Sequence, residues 1–322
     1  MSDIDQEGRS EDPAGPFANL RDELEGLVTE AVDPSMSDLE LRPTEDLVLA
    51  MNSQDALVPA AVRQVSDVIA RAVDAIAARM RQGGRLVYLG AGTSGRIGVL
   101  DASECPPTFD IDPGLIIGVI AGGDVALRDS VESAEDDPSA GAADVARLDL
   151  GAHDILIGIA ASGRTPYVVG ALEEAVARGA LTIALSCNAG SRIGALADIP
   201  IEVVVGPEFI AGSTRLKAGT AEKLVLNTLS TLTMVRLGKT FGNVMIDLRV
   251  SNDKLRARAE RTLMSVTGRD AHDVGKALDE AGGSAKVAAL MLLAGGTRAD
   301  AERVLTAHEG SLRAALSDAD AG

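Results

Sequence analysis

Five short runs of Val, Ile, Leu and Ala recur through the middle of the chain and constrain its fold more than any other feature. They show no polar alternation, which is typical of strands buried on both faces. The runs are Leu86–Leu89, Leu115–Ala121, Asp154–Ala160, Leu181–Ser186 and Ile199–Val205. The helix-length segments between them include Val125–Arg147, Pro166–Arg178 and Ser191–Leu196. Strands alternating with helices predict the α/β class, as a three-layer α/β/α sandwich around a five-stranded parallel sheet.

The flanking segments divide the 322 residues further. An amphipathic helix is expected over Val58–Arg81 and a long one over Thr214–Leu237, whereas Pro106-Pro107 should stop the helix that begins near Arg96. After Asp253 the pattern is wholly helical, broken at glycines. We therefore expect, in order, a disordered acidic tail (1–20), an N-terminal helical arm (21–55), the α/β domain (56–250) and a small C-terminal all-helical domain (251–322).

Composition narrows the possible functions. The net charge of −18 argues against nucleic acid or an anionic membrane as partner, and the lack of Trp, with only two Tyr and four Phe, argues against base stacking. Two cysteines and three scattered histidines make a disulfide scaffold or a zinc site improbable. With no basic, apolar leader and no run near the roughly 20 residues that span a bilayer, the simplest interpretation is a cytoplasmic protein.

The first strand runs into a glycine-rich turn, Gly90-Ala-Gly-Thr-Ser-Gly95, that opens a helix. Free backbone N–H groups and the helix dipole make such a turn an anion site. The turn also matches the GxGxxG dinucleotide fingerprint, but the acidic residue expected about 20 positions on is absent, and Asp124 comes too late. The hydroxyls of Thr93 and Ser94 favour phosphate.

A second turn of the same kind follows the third strand. It reads Ala161-Ser-Gly-Arg-Thr-Pro-Tyr167 and repeats the tripeptide Ser-Gly-Arg of the first turn. Loops at the carboxyl ends of parallel strands meet in one crevice, where ligands of such sheets bind. The serines could instead cap their helices. The presence of two such loops favours ligand binding over helix capping as their role.

Two carboxylates and a third polar segment are the remaining candidates for functional residues. Glu104 precedes the expected proline stop and suits an acid or base, or is a helix-end carboxylate facing water. Glu135 lies in an acidic cluster that is either functional or a solvated helix face. After the last strand come Glu208 and a segment opening the long helix, where Ser213 and Thr214 either cap that helix or, with Arg215 and Lys217, meet an anion.

Five motifs carry a family resemblance from about Leu27 to the C-terminus. They are GAGTSGRIGVLDASECPPTF, IAGGDVALRDSVESAEDD, AASGRTPYVVG, LSCN and GPEFIAGSTRLKAGTAEK. In this order and spacing the chain resembles the N-acetylmuramic acid 6-phosphate etherases of the sugar isomerase (SIS) domain class, to which the two-domain glucokinase regulatory protein is related. The departures are the acidic first 20 residues and Ser133, where Gly is common.

The resemblance implies a lyase that removes D-lactate from the C3 ether of a phosphorylated amino sugar in cell-wall recycling. It implies a homodimer without metal or organic cofactor, with Glu104 as proton donor and Glu135 as base at C2. The substrate contacts expected from the motifs are Thr93, Ser94, Gly95, Ser162, Gly163, Thr165, Asn188, Glu208, Ser213 and Lys217. The alternatives are a non-catalytic phosphosugar sensor and an aldose–ketose phosphosugar isomerase; a dehydrogenase is the weakest.

Overall fold

The structure, a computed structural model, describes residues 24–131, 133–250 and 252–319, so the predicted tail at 1–20 lies outside it. All five expected strands form one parallel sheet in the order β2-β1-β3-β4-β5, which confirms the α/β class. The strands are β1 (Leu86–Gly90), β2 (Ile116–Ile120), β3 (Ile155–Ile159), β4 (Leu181–Ser186) and β5 (Ile199–Glu202).

Helices cover both faces of the sheet. The arm contributes 3₁₀ turns at Val28–Glu30, Pro34–Met36 and Leu39–Leu41, then helix α1 (Thr44–Asp55). One face packs on α2 (Val58–Gln64), α3 (Ser66–Arg81), α4 (Gly92–Phe109) and α8 (Lys217–Arg236); the other on α5 (Pro138–Arg147), α6 (Pro166–Ala177) and α7 (Arg192–Leu196). Leu86 and Tyr88 of β1 point into the first layer, whereas Val87 and Leu89 point into the second. This period of two explains why strands buried on both faces are uniformly apolar.

The C-terminal residues build a separate helical core, as the pattern predicted. A two-stranded ribbon, β6 (Thr240–Phe241) and β7 (Val244–Met245), leads into it. The helices are α9 (Asp253–Thr267), α10 (Ala271–Glu280), α11 (Ala285–Ala294), α12 (Arg298–Ala307) and α13 (Leu312–Ala319). Helices α9, α10 and α11 end within two residues of the predicted glycine breaks at Gly268, Gly282-Gly283 and Gly295-Gly296. In the described part of the chain no helix is long and apolar enough to cross a membrane.

Pro106 and Pro107 lie inside α4, so the predicted stop there is wrong. Proline removes helical hydrogen bonds, but its φ is compatible with a helix. Cys105 and Phe109, on either side of the pair, are buried, and we attribute the extra turn to their packing. The helix ends where Asp110 adopts a left-handed φ of 49°.

Two other predicted helices are shorter than expected. Val58–Arg81 breaks at Val65 into α2 and α3. Val125–Arg147 holds two 3₁₀ turns, and only Pro138–Arg147 is α-helical. The Asp137 side chain accepts hydrogen bonds from the N–H groups of residues 139 and 140, and Pro138 begins the helix, a combination that fixes a helix start.

Candidate functional site

A cavity of about 600 Å³ opens at the carboxyl ends of β1 and β3. Between these strands the strand order reverses, because β2 lies on one side of β1 and β3 on the other. Such a switch point leaves a crevice between the two loops. Both predicted loops line the cavity, contributing Thr93 and Ser94 from the first and Ser162 and Thr165 from the second. The expectation that the two loops meet is confirmed.

The first loop presents the amino end of α4 to the cavity. The helix has 18 residues, and its first turn carries Thr93 and Ser94. No side chain of a described residue caps it, so the N–H groups of this turn are available to a ligand. Together with the positive end of the helix dipole they favour an anion. Gly95 lies beneath the loop, where an added Cβ would come within 2.6 Å of the carbonyl oxygen of Gly90, so its role here is close packing.

The second loop is held by Gly163. Its φ is +72°, and an added Cβ would overlap Ser191. Glycine therefore meets both the backbone conformation and the close approach. The Ser162 hydroxyl accepts a hydrogen bond from the N–H of Arg164 at 3.3 Å, and Thr165 and Pro166 continue along the cavity wall.

Among the described residues, three carboxylates line the same cavity: Glu135, its neighbour Asp136, and Glu30 from the N-terminal arm. Glu135 lies on a 3₁₀ turn that follows Ser133, whose φ is +63°. The expectation that the acidic cluster lies on a helix is therefore wrong, and the turn brings Glu135 beside the phosphate-binding candidates.

Glu104 does not line this cavity. It lies on α4, ten residues beyond Ser94, and its side chain is exposed. Ten residues of helix span about 15 Å, too far for Glu104 to share a reacting atom with groups at Ser94 in the same chain.

Asn188 anchors the arm instead of facing the cavity. Its Oδ1 accepts from the N–H of Val28 at 2.8 Å and of Thr29 at 3.5 Å. Its Nδ2 donates to the Thr29 hydroxyl at 3.1 Å and to the carbonyl of Ala161 at 3.0 Å. These bonds connect the end of β4 to the segment that carries Leu27 and Glu30 onto the cavity wall.

Glu208 caps α8, which corrects the predicted start of that helix at Thr214 and the alternative in which Ser213 or Thr214 caps it. Its two carboxylate oxygens each accept a backbone N–H, from Lys217 and Ala218, at 2.9 Å. The Lys217 ammonium lies 2.8 Å from the Gln54 side chain, and burial lowers its pKa against the opposing effect of Glu208. Of this segment, Thr214 alone lines the cavity.

Sequence reasoning missed several cavity residues. Arg164 belongs to the repeated tripeptide, which by itself indicates no role for this side chain, and no local sequence pattern marks Arg192 or the arm residues. It also missed Glu222, which is fully buried directly behind Ser94. Burial, with a contribution from Glu208, raises the pKa of Glu222 to about 8.

Comparisons with known proteins agree with this geometry. The family description "Glucokinase regulatory protein N-terminal SIS domain" matches residues 68–176, and "SIS domain" matches residues 139–231. Among solved structures, a phosphoheptose isomerase from Francisella tularensis superposes with a TM-score of 0.50 at 23% identity, over 60% of this chain and 100% of that one. At that identity the likeness concerns the fold alone.

Two curated relatives match almost end to end. The N-acetylmuramic acid 6-phosphate etherase of Streptomyces avermitilis is 54% identical over 301 residues, covering 94% of this chain and 97% of that protein. The protein of the same name from Rubrobacter xylanophilus is 54% identical over 299 residues, covering 93% and 99%. The chain therefore belongs to the N-acetylmuramic acid 6-phosphate etherase family.

Proposed function

We propose that this protein is a cytoplasmic carbon–oxygen lyase that converts N-acetylmuramic acid 6-phosphate and water into N-acetylglucosamine 6-phosphate and D-lactate. The main support is one cavity that combines an uncapped helix start, two hydroxyl loops and a carboxylate, Glu135. Membership of the etherase family supports the same assignment. An anion-binding site next to a carboxylate suits a phosphosugar, because the site can hold the phosphate while the carboxylate removes a proton from the sugar.

In this proposal the 6-phosphate binds at the start of α4, where the N–H groups of the first turn and the hydroxyls of Thr93 and Ser94 donate to its oxygens. Ser162 and Thr165 of the second loop contact the sugar. With the phosphate fixed at one end, the open-chain sugar extends toward Glu135, and binding energy far from the reacting carbons holds C2 near the base.

The C1 aldehyde of the open-chain sugar acidifies the C2 proton, which the Glu135 carboxylate removes. The C3–O bond then breaks as a second carboxyl group, Glu104, protonates the departing lactate oxygen, leaving a C2=C3 double bond conjugated to the aldehyde. Water adds its hydroxyl to C3 while Glu104 takes up its other proton, and Glu135 returns a proton to C2. Each positioned acid or base contributes about 10²–10⁴-fold in rate.

Within one chain Glu104 does not line the cavity that holds Glu135, and it lies about 15 Å along α4 from Ser94, so we infer that it acts from a second subunit. We propose a homodimer in which Glu104 of the partner subunit completes the cavity. The arm supports such a contact: α1 has no buried residue, and Val48 and Leu49 are 63% and 60% exposed. A helix with an uncovered apolar face suits an interface with another copy.

Release of D-lactate from N-acetylmuramic acid 6-phosphate tests the reaction, and exchange of the C2 proton in D₂O separates the two carboxylates. Glu135→Gln should lose both exchange and lactate release, whereas Glu104→Gln should keep exchange and lose lactate release. Binding of the phosphosugar without lactate release by the unmodified protein would instead indicate a sensor. Conversion to a ketose with the ether intact would indicate an isomerase.

Mixing the two inactive variants tests the shared site. A heterodimer of Glu104→Gln and Glu135→Gln holds one cavity with both substitutions and one with neither. Random exchange of subunits should therefore restore roughly a quarter of the wild-type activity. If both carboxylates came from one chain, every cavity would stay defective and no activity would return. In that case Glu30, which lines the cavity in the same chain, becomes the candidate acid.

A further inference from the structure

A carboxyl group lies directly behind the proposed phosphate site. Glu222, on the second turn of α8, is 0% exposed, and its Oε1 lies 2.8 Å from the Ser94 hydroxyl oxygen. Its Oε2 has no hydrogen-bond partner among the described residues. Ser94 is therefore between this acid and the cavity, and it is 7% exposed.

We propose that Glu222 is a positioning residue that acts as a neutral acid, donating its proton to Ser94 so that Ser94 turns its own proton toward the ligand phosphate. The inference rests on the proposed function, in which Ser94 binds the phosphate. It adds a residue that touches no substrate but sets the direction of a hydrogen bond that does.

The argument follows from the proton count of a hydroxyl. Serine has one proton to donate and two lone pairs that accept. A phosphate dianion offers only acceptors, so Ser94 must give its proton to the ligand. An ionised Glu222 also only accepts, and it would compete for that same proton. A neutral Glu222 has a proton to give, and Ser94 then accepts from Glu222 and donates into the cavity.

The surroundings of Glu222 favour the neutral form. Ala218 and Ala221 of α8 are fully buried, and among the described residues no cation contributes to the shift of the Glu222 pKa. The groups that face it are the Ser94 hydroxyl from α4, the Glu208 carboxylate from the loop after β5, and the Cys187 thiol after β4. Burial raises the pKa of Glu222 to about 8 against the opposing effect of the hydrogen bond with Ser94, and Glu208 acts in the same direction as burial. Burial also raises the pKa of Cys187 well above its usual value, so the thiol stays neutral there.

Affinity for a phosphosugar should therefore fall once Glu222 ionises. Ionisation takes away the donated proton and puts a negative charge behind the phosphate site. The ligand does not change charge around pH 8, since the second pKa of a phosphate monoester is about 6 and the group is a dianion well above that value. Above about pH 8 the dissociation constant should rise by up to tenfold per pH unit.

The test is calorimetric titration of N-acetylglucosamine 6-phosphate into the full-length protein between pH 6.5 and 9.5. Binding of the phosphosugar by wild type should weaken above pH 8. Glu222→Leu, with no proton to give, should bind at least tenfold more weakly at pH 7. Glu222→Gln donates an amide N–H at every pH, so it should restore affinity at pH 7 and remove the alkaline loss. Cys187→Ser, as control, should keep the wild-type pH profile.

The experiment distinguishes failure of the proposed role of Glu222 from failure of the proposed function. An identical alkaline loss in wild type and Glu222→Gln, or a flat wild-type profile, would overturn the role of Glu222 and leave the proposed function standing. No binding by wild type at any pH would overturn both. Should Glu222→Gln fail to fold, infrared spectra of wild type provide the test. We expect the band of a protonated carboxyl group that shifts when the ligand binds and disappears near pH 8. The absence of this band at pH 7 would refute the inference.

Discussion

Replacing Glu222 by Gln should change how the stability of this protein depends on pH. The carboxyl is fully buried, and burial raises its pKa from 4.5 to about 8 in the folded chain. The unfolded chain releases this proton near its ordinary value. Between those two values the native state binds more protons than the unfolded chain, so its stability falls as the pH rises.

The size of the effect follows from the two pKa values. The contribution is fully present below pH 4.5, is lost progressively above it, and the loss ends once the pH exceeds about 8. Each pH unit inside that window removes about 1.4 kcal/mol. Between pH 6 and pH 9 wild type should therefore lose on the order of 3 kcal/mol that Glu222→Gln, which does not titrate, keeps.

Urea unfolding at pH 6, 7, 8 and 9 measures this difference. Glu173→Gln is the matched control, since it makes the same substitution at an exposed position on α6, and it should follow wild type to within about 0.5 kcal/mol. If the free energies of unfolding of wild type and Glu222→Gln run parallel across the range, Glu222 is not held neutral by burial, and the reasoning is refuted.

Three further results are expected. Asn188→Ala should lower the free energy of unfolding by about 2–4 kcal/mol, because it leaves buried N–H and C=O groups unpaired. It should also raise KM, since the arm loses its anchor; an unchanged KM would separate the arm from the site. Gly163→Ala should destabilise by about 1–3 kcal/mol more than Gly179→Ala, since both have positive φ but only Gly163 contacts Ser191; equal losses would contradict this. Lactate release should survive dialysis against EDTA, and its loss, restored by a divalent metal, would refute the proposed metal-free mechanism.

Much of the fold could be predicted from local sequence patterns. The β4 strand was bounded correctly at Leu181 and Ser186, because a buried parallel strand depends on a local run of apolar residues. The two hydroxyl loops were found for the same reason, as each is a short segment between a strand and a helix. The predicted stop at Pro106-Pro107 failed because packing of distant residues on Cys105 and Phe109 favours another turn.

The same distinction between local sequence and long-range packing applies to the candidate site. The sequence by itself determined the strands, the loops and, by resemblance, the family, whereas the catalytic roles of Glu104 and Glu135 stay predictions. Only the tertiary structure decided that Asn188 anchors residues 28 and 29, that Glu208 caps α8, and that Glu222 lies behind Ser94. The Asn188 and Glu222 contacts join residues more than a hundred positions apart, so no local pattern encodes them. Their energetics depend on burial, which exists only once the layers have packed.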